Sequence, residues 1–315
     1  VELNGFLAEV DRRTGGILAG GAEALGVPVA SLGLSGGKQL RPRLVFECAH
    51  ALGGDPQRVV PLATAAHLIH TASLCHDDVI DESTQRRGRP TLSARFGNSA
   101  SVLLGDHLFS SAWLSAARDL GTEVARLLAE AMVEMCGAEI LQSRMLWNAD
   151  TARETCLRVA AGKTAALFAA CASAAATALE APTTAVSALH EFGRGVGLAF
   201  QIVDDLLDYN PQSDAWGKQP FMDLRGGLPT LPLLLALDAG DGPVRRAVLD
   251  FLRSRGATPL DVAPVACLIR ESGADLQCRS LARAYVEQGL SALSRGHVTV
   301  NGLADLAYAT VGRLF

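Results

Sequence analysis

The sequence predicts an all-α protein folded as a single domain over residues 1–315. Long Ala- and Leu-rich segments follow one another, each broken by brief Gly, Pro, Asn or Asp punctuation. Alternating apolar and polar stretches of the strand type are almost absent. No linker or short-period repeat divides the chain, and 49% apolar against 19% charged residues supplies a sizeable core.

In order, residues 2–25 predict a first helix, weakened in its middle and at its end by Gly15, Gly16, Gly20 and Gly21. Residues 27–37 read as a loop. A helix then starts near Leu40, with Pro42 in the first turn, where its missing N–H does no harm. The run 61–81 carries an acidic motif, and 99–119 and 121–147 read as two long apolar helices. Residues 150–180 give one or two more, and 184–209 carries a second acidic motif. After a loop at 210–229 come 231–239, 243–255, 259–271, 274–295 and 301–314. Thr258-Pro259 and Asn301 serve as start signals among these last helices.

Charge and cysteine content exclude several classes. A net charge of −5 offers no basic footprint, so nucleic acid is not an expected partner. Seven scattered cysteines, with no CxxC pair and no zinc spacing, fit buried thiols in a reducing cytoplasm better than disulfides. No charge-free apolar run of membrane-spanning length is found, so a spanning segment is not expected.

The first acidic motif is Asp77, Asp78 and Asp81, a DDxxD. One helical turn separates Asp77 from Asp81, so their carboxylates project side by side and repel unless a cation intervenes. Hard oxygen ligands suit Mg²⁺, which keeps several waters and accepts phosphate oxygens. Arg86 and Arg87 follow closely, so a diphosphate could be gripped by metal on one side and guanidinium on the other. A lone DDxxD is ordinarily a solvated face. Asp204, Asp205 and Asp208 repeat the spacing, flanked by Phe200, Ile202, Val203, Leu206 and Leu207. Two acidic faces on apolar helices, able to oppose each other across a bundle, point to metal-assisted chemistry on an anionic substrate.

Three basic stretches accompany them. GGKQLRP places Gly36, Gly37, Lys38 and Arg41 at a helix start, where N–H groups and the helix dipole favour an anion. GKTAALF sets Lys163 and Thr164 just inside an apolar helix, where a lysine can also simply snorkel to solvent. GKQPFMDLRGGLPTLP gives a loop with Lys218, Asp223 and Arg225, a natural lid after a metal helix. Read singly, each of the three is ordinary local chemistry.

Together these segments resemble, in the same order, the motifs of the trans-isoprenyl diphosphate synthases, the polyprenyl synthetase family, from about Leu7 to Leu314. The resemblance implies a multi-helix bundle around a deep central cavity (the isoprenoid synthase fold), a homodimer, and 1′-4 condensation of isopentenyl diphosphate with an allylic diphosphate. By position, Asp77 and Asp81 would ligate two Mg²⁺ ions, and Asp204 a third, with Asp208 and Asp223 in support. Arg86, Lys163 and Lys218 would contact the allylic diphosphate. Lys38, Arg41, His70 and Arg87 would hold isopentenyl diphosphate, and Thr164 and Gln201 would sit beside the reacting carbons. Many members carry a lysine just before PTLP. Here Leu228 stands there, and Arg225 is the nearby candidate substitute.

In this family a bulky aromatic one turn before the first motif stops chain growth early. Ala72 and Ser73 are small, so a medium- or long-chain product beyond farnesyl is expected, with geranylgeranyl as the alternative. Ile69, then Phe109 or Trp113, would be the next obstacles. A long product would need a membrane or carrier for release. Three other readings compete. A class I terpene cyclase needs one diphosphate site and usually an NSE-like second motif. A regulatory subunit of a heteromeric synthase tends to have lost aspartates that are intact here. A purely structural helical protein has no use for both the acidic and the basic sets.

Overall fold

A computed structural model of the chain describes residues 2–27, 39–86, 88–210 and 220–312. Its helices group into two compact units, the first formed by Val1–Glu130, Ala170–His190 and Ser294–Leu303, the second by Ala131–Ala169, Glu191–Leu293 and Ala304–Phe315.

In the first unit, α1 (Leu3–Ala24), α2 (Leu40–Ala51) and α5 (Asn98–Leu120) surround α3 (Val60–Ile80). The early turns of α3 are apolar on every side, and Leu62, Leu68 and Ile69 are fully buried there. Each such side chain contributes about 1.5–3 kcal/mol when removed from water. α5 buries a single stripe, Ser101, Leu104, Gly105, Leu108, Ala112 and Ala116, at the spacing of one helix face. Glycine sets the closest approaches. A Cβ on Gly105 would strike the ring of His76, and one on Gly21 would strike Leu104 and His107. α1 accordingly runs unbroken to Ala24 despite its glycines, because tertiary packing outweighs their weak propensity.

After α3 the chain makes the one strand pairing among the described residues, β1 (Gln85–Arg86) against β2 (Arg89–Pro90), turning at Gly88 with φ +72°. Then comes α4 (Leu92–Phe96), started by Thr91, whose hydroxyl oxygen accepts the Ala94 N–H. Neither the hairpin nor α4 is predicted by the sequence pattern, since both are too short for an apolar period to repeat.

α6 (Thr122–Ser143) ends earlier than the predicted 147, in a turn where Trp147 takes φ +62°. α7 (Arg153–Ala160) leads into one π-helical turn, Ala161–Ala165, and then α8 (Ala166–Ala178). The most apolar window of this 153–178 run is long enough to cross a membrane, but 89% of it is buried inside the protein. α9 (Thr183–Asp208) is the long amphipathic helix of the second acidic motif. Its glycines allow backbone contact on two sides. A Cβ on Gly193 or Gly197 would collide with the main chain at Phe168 or Ala165, and one on Gly195 with the carbonyl of Tyr285.

The remainder of the chain forms α10 (Met222–Arg225), α11 (Leu231–Asp238), α12 (Pro243–Arg253), α13 (Ala263–Glu271), α14 (Ala274–Arg295) and α15 (Asn301–Val311). α13 starts at Ala263-Pro264 rather than at Thr258-Pro259, so the later proline takes the first-turn position.

Candidate functional site

Both acidic motifs fall at helix C-termini. Asp77 and Asp78 occupy the last turn of α3, and Asp81 is its cap, donating its N–H to the Asp77 carbonyl at 2.8 Å. Asp204, Asp205 and Asp208 close α9. A helix C-terminus already carries partial negative charge, so carboxylates gathered there are stabilised by a bound cation.

The first motif divides its carboxylates by burial. Asp78 is only 3% exposed and accepts a hydrogen bond from Arg86 Nε at 2.9 Å. Burial raises its pKa, and the Arg86 charge opposes that rise. The Asp78 carbonyl also accepts the Ser83 N–H at 3.0 Å, which fastens the strand hairpin to the helix end. Asp77 is half-buried and Asp81 exposed, so the pair predicted to bind metal is the pair open to solvent. Two turns back, His70 is half-buried, and its carbonyl accepts the Ser73 hydroxyl at 2.9 Å. Arg41, in the first turn of α2, is part-buried, and burial lowers its pKa to about 10, so it stays charged at neutral pH.

The structure separates the residues of the expected product path by burial. Ala72 and Ile69 are sealed in the core at 0% and 1% exposure, whereas Ser73, Leu74 and His70 are partly exposed along α3. Trp113 is 51% exposed, its indole N–H donating to the Ala125 carbonyl at 3.2 Å, so it sits on the outer face of α5 and not below Ala72. It falls outside the buried stripe of α5 named above, a phase that spacing from Gly105 alone does not reveal.

In the second unit, a polar chain links the π turn to α9. Thr164 Oγ1 donates to Gln201 Oε1 at 2.5 Å, and Gln201 Nε2 donates to Asp205 Oδ1 at 2.7 Å. The glycine-mediated contact of Gly197 with Ala165 brings those partners within reach. Lys163 projects from the π turn onto Glu139 at 2.6 Å and Gln142 at 3.3 Å. Gly162 permits this, since a Cβ there would strike Ala138 and the Glu134 carbonyl. Single π turns recur at functional positions because they re-aim one side chain. Glu139 and Gln142, far from any motif, were not foreseen from sequence.

Asp208 has a second task beside the expected metal role. Its Oδ1 accepts the Met222 N–H and its Oδ2 the Asp223 N–H, each at 3.1 Å, which starts α10 and brings Asp223 into the acidic group. Burial and the neighbouring carboxylates drive the Asp223 pKa well up, and burial chiefly raises Asp205 to about 7. Leu228 is half-buried and donates its N–H to the Asp223 carbonyl at 2.8 Å, while Arg225 is exposed at the end of α10. Lys38, Arg87 and Lys218, with Gly36 and Gly37, lie outside the described residues.

The residues present suit Mg²⁺. Among those described, no three His, Cys, Asp or Glu side chains form a ready-made metal cage. Mg²⁺ needs none, since it binds through one or two carboxylates and completes its shell with water and substrate phosphates. Buried carboxylates that resist ionising beside one another are a donor set that a hard cation relieves.

Comparison with known proteins agrees with the motif order. The profile of the polyprenyl synthetase family matches residues 23–266. The (2E,6E)-farnesyl diphosphate synthase of Mycobacterium tuberculosis is 36% identical over 286 residues, 88% of this chain and 80% of that protein. A decaprenyl diphosphate synthase from Rhodobacter capsulatus superposes with a TM-score of 0.88 at 34% identity, over 99% of this chain and 97% of that one. A polyprenyl synthase from Caulobacter crescentus, complexed with calcium and isoprenyl diphosphate, does so with a TM-score of 0.82 at 31% identity, over 97% of each chain.

Proposed function

The chain belongs to the polyprenyl synthetase family and is a trans-prenyl diphosphate synthase, and on that premise we propose that it extends an allylic diphosphate with isopentenyl diphosphate to a product longer than farnesyl. The carrying observation is the pair of acidic helix ends, where Arg86 fixes Asp78 and the start of α10 fixes Asp208, beside the half-buried Asp77 and Asp204 and the exposed Asp81. In this reading Asp77 and Asp81 bind Mg²⁺, and Asp204 binds a further ion supported by Asp208 and Asp223. Three ions in all match that ligand set. Bound Mg²⁺ neutralises diphosphate charge and so assists its departure.

The chain's own groups do the rest. Arg86, aimed by Asp78, and Lys163, aimed by Glu139, hold the allylic diphosphate, together with Lys218. Arg41, with Lys38, Arg87 and His70, holds isopentenyl diphosphate. Loss of diphosphate from C1 of the allylic substrate leaves an allylic cation. The double bond of isopentenyl diphosphate attacks it, and the released diphosphate removes the proton. Thr164 and Gln201 hold polar atoms at fixed positions beside the cation. No Ser, Cys or His nucleophile is required.

The chain acts as one catalytic domain and as a homodimer. The apolar face that α5 leaves uncovered, with Leu103, Trp113 and Leu114 each more than half exposed, supports the second point. All seven cysteines are free thiols, five of them buried, which supports a reducing cytoplasm.

The test is incubation of the chain alone with Mg²⁺, isopentenyl diphosphate and each allylic starter of five to twenty carbons, followed by mass spectrometry. Products beyond fifteen carbons are expected. Diphosphate release without isopentenyl diphosphate would instead indicate a cyclase, and no turnover without a second protein a regulatory subunit. A product that stops at fifteen carbons would overturn the length assignment alone.

A further inference from the structure

α10 is a single turn of four residues, yet it carries Asp223. So short a helix has no stability of its own, because it closes too few hydrogen bonds to offset its nucleation cost. Its position is set by what grips its two ends. At the start, Asp208 takes the main-chain N–H groups of Met222 and Asp223, and the Asp208 carbonyl accepts the Phe221 N–H at 2.7 Å.

At the other end the grip is Trp147. Its N–H donates to the Gly227 carbonyl at 2.7 Å, and its indole lies directly on the Gly227 Cα side, where any Cβ would collide with the ring. Gly227 has φ +78°, and its own N–H returns to the Leu224 carbonyl at 2.9 Å. Leu228 then donates to the carbonyl of Asp223 itself. A displacement of Gly227 is therefore passed through two hydrogen bonds to α10, one at Leu224 and one at Asp223, the residue carrying the carboxylate. The far edge of the indole rests on Gly256, where a Cβ would come to 3.1 Å of the ring, and on Phe251, with ring centroids 5.5 Å apart.

Core filling alone is a poor account of this residue. Trp147 is only half-buried, and it holds φ +62°, a strained conformation for a bulky side chain. Strain of that kind persists only where the surroundings over-determine it. Here ring and main chain converge on one glycine, the one that closes the turn behind Asp223.

We propose that Trp147 is a positioning residue for the acidic group at the end of α9, clamping Gly227 so that Asp223 is held beside Asp204 and Asp205 for metal and diphosphate. The proposal rests on the synthase reading, in which Asp223 supports the ion held by Asp204.

The test uses the whole chain and reads binding without turnover. Inorganic diphosphate is titrated calorimetrically at graded Mg²⁺, giving the Mg²⁺ concentration at half-saturation. Trp147→Leu and Gly227→Ala should each raise that midpoint roughly tenfold or more, the usual size of a lost outer contact to a metal ligand. Trp147→Phe, which keeps a ring against Gly227, should raise it less. Phe251→Leu, which loosens the opposite side of the indole, should lower the melting temperature and leave the midpoint at the wild-type value. The KM for isopentenyl diphosphate should hold in all four. If Trp147→Leu and Gly227→Ala melt earlier but keep the wild-type midpoint, Trp147 is packing alone and the inference falls. Should Trp147→Leu fail to fold, Gly227→Ala and Trp147→Phe carry the same comparison. A wild-type chain that binds Mg²⁺ and diphosphate but joins no substrates would overturn the synthase reading, while the same midpoints still judge Trp147.

Discussion

Asp77 and Asp78 are neighbours in sequence with opposite surroundings, and substitution should separate them. Asp78 is sealed against Arg86, whereas Asp77 looks outward from the same turn. Asp77→Ala, or Asp204→Ala at the end of α9, should cut turnover by about 10²–10³ or more, the effect of losing one group that stabilises developing charge. Melting should stay nearer wild type than for Asp78→Ala, since both side chains are less buried than Asp78. Asp78→Ala should do the reverse in order of severity. It removes the partner of Arg86 and loosens the hairpin, so stability should drop by about 1–3 kcal/mol before any kinetic effect is counted. Thermal melts and steady-state rates on the three variants check this. Equal stability losses in all three would mean that burial does not divide the labour within the motif.

At the scale of elements, α3 carries both the proposed metal ligands and the surface along which the product should grow. Sequence reasoning set Ala72 and Ser73 as equivalent small residues below Asp77, but burial distinguishes them. Ala72→Phe would force a ring into a closed core, and overpacking of that kind costs about 1–3 kcal/mol. Ser73→Phe places the ring on the partly exposed stripe with His70 and Leu74. Ser73→Phe should therefore shorten the product towards fifteen or twenty carbons while melting normally, and Ala72→Phe should lower the melting temperature. Product mass spectrometry beside melting curves decides it, and an unchanged product from Ser73→Phe would rule out the stripe as the path. The long helices were legible because their apolar period repeats over many turns. The π turn at Lys163, the four-residue α10 and the hairpin at Arg86 were not, because each is fixed by distant partners (Glu139, Trp147 and Asp78) that no local pattern announces.

For the molecule as a whole, the acidic group of α9 should make stability without metal fall as pH rises. The chemistry of this group was legible from the spacing of Asp204, Asp205 and Asp208. Its electrostatic cost was not, because that depends on burial and on Asp223 arriving from α10. Asp205 holds its proton up to about pH 7 in the folded chain, mainly through burial, against an ordinary value near 4 when unfolded. Asp223 is shifted the same way. Between about pH 4 and 7 the folded state thus binds more protons than the unfolded one, and stability declines with rising pH across that window. The surface carboxylates Glu9, Asp119 and Glu123 are shifted the opposite way, downward, chiefly by hydrogen bonds from neighbouring arginines, so they act at the acid edge of this window. With a chelator present, the melting temperature should be higher at pH 5.5 than at pH 8, and Asp205→Asn should flatten the difference. Mg²⁺ with inorganic diphosphate should reverse it, because the bound cation favours the ionised carboxylates and binding then releases protons. Melting with and without Mg²⁺ at the two pH values, together with proton release measured in two buffers of different ionisation enthalpy, tests both signs. A chelated protein that is more stable at pH 8 than at pH 5.5 would show that these carboxylates are already ionised in the fold, and that no stored repulsion awaits the metal.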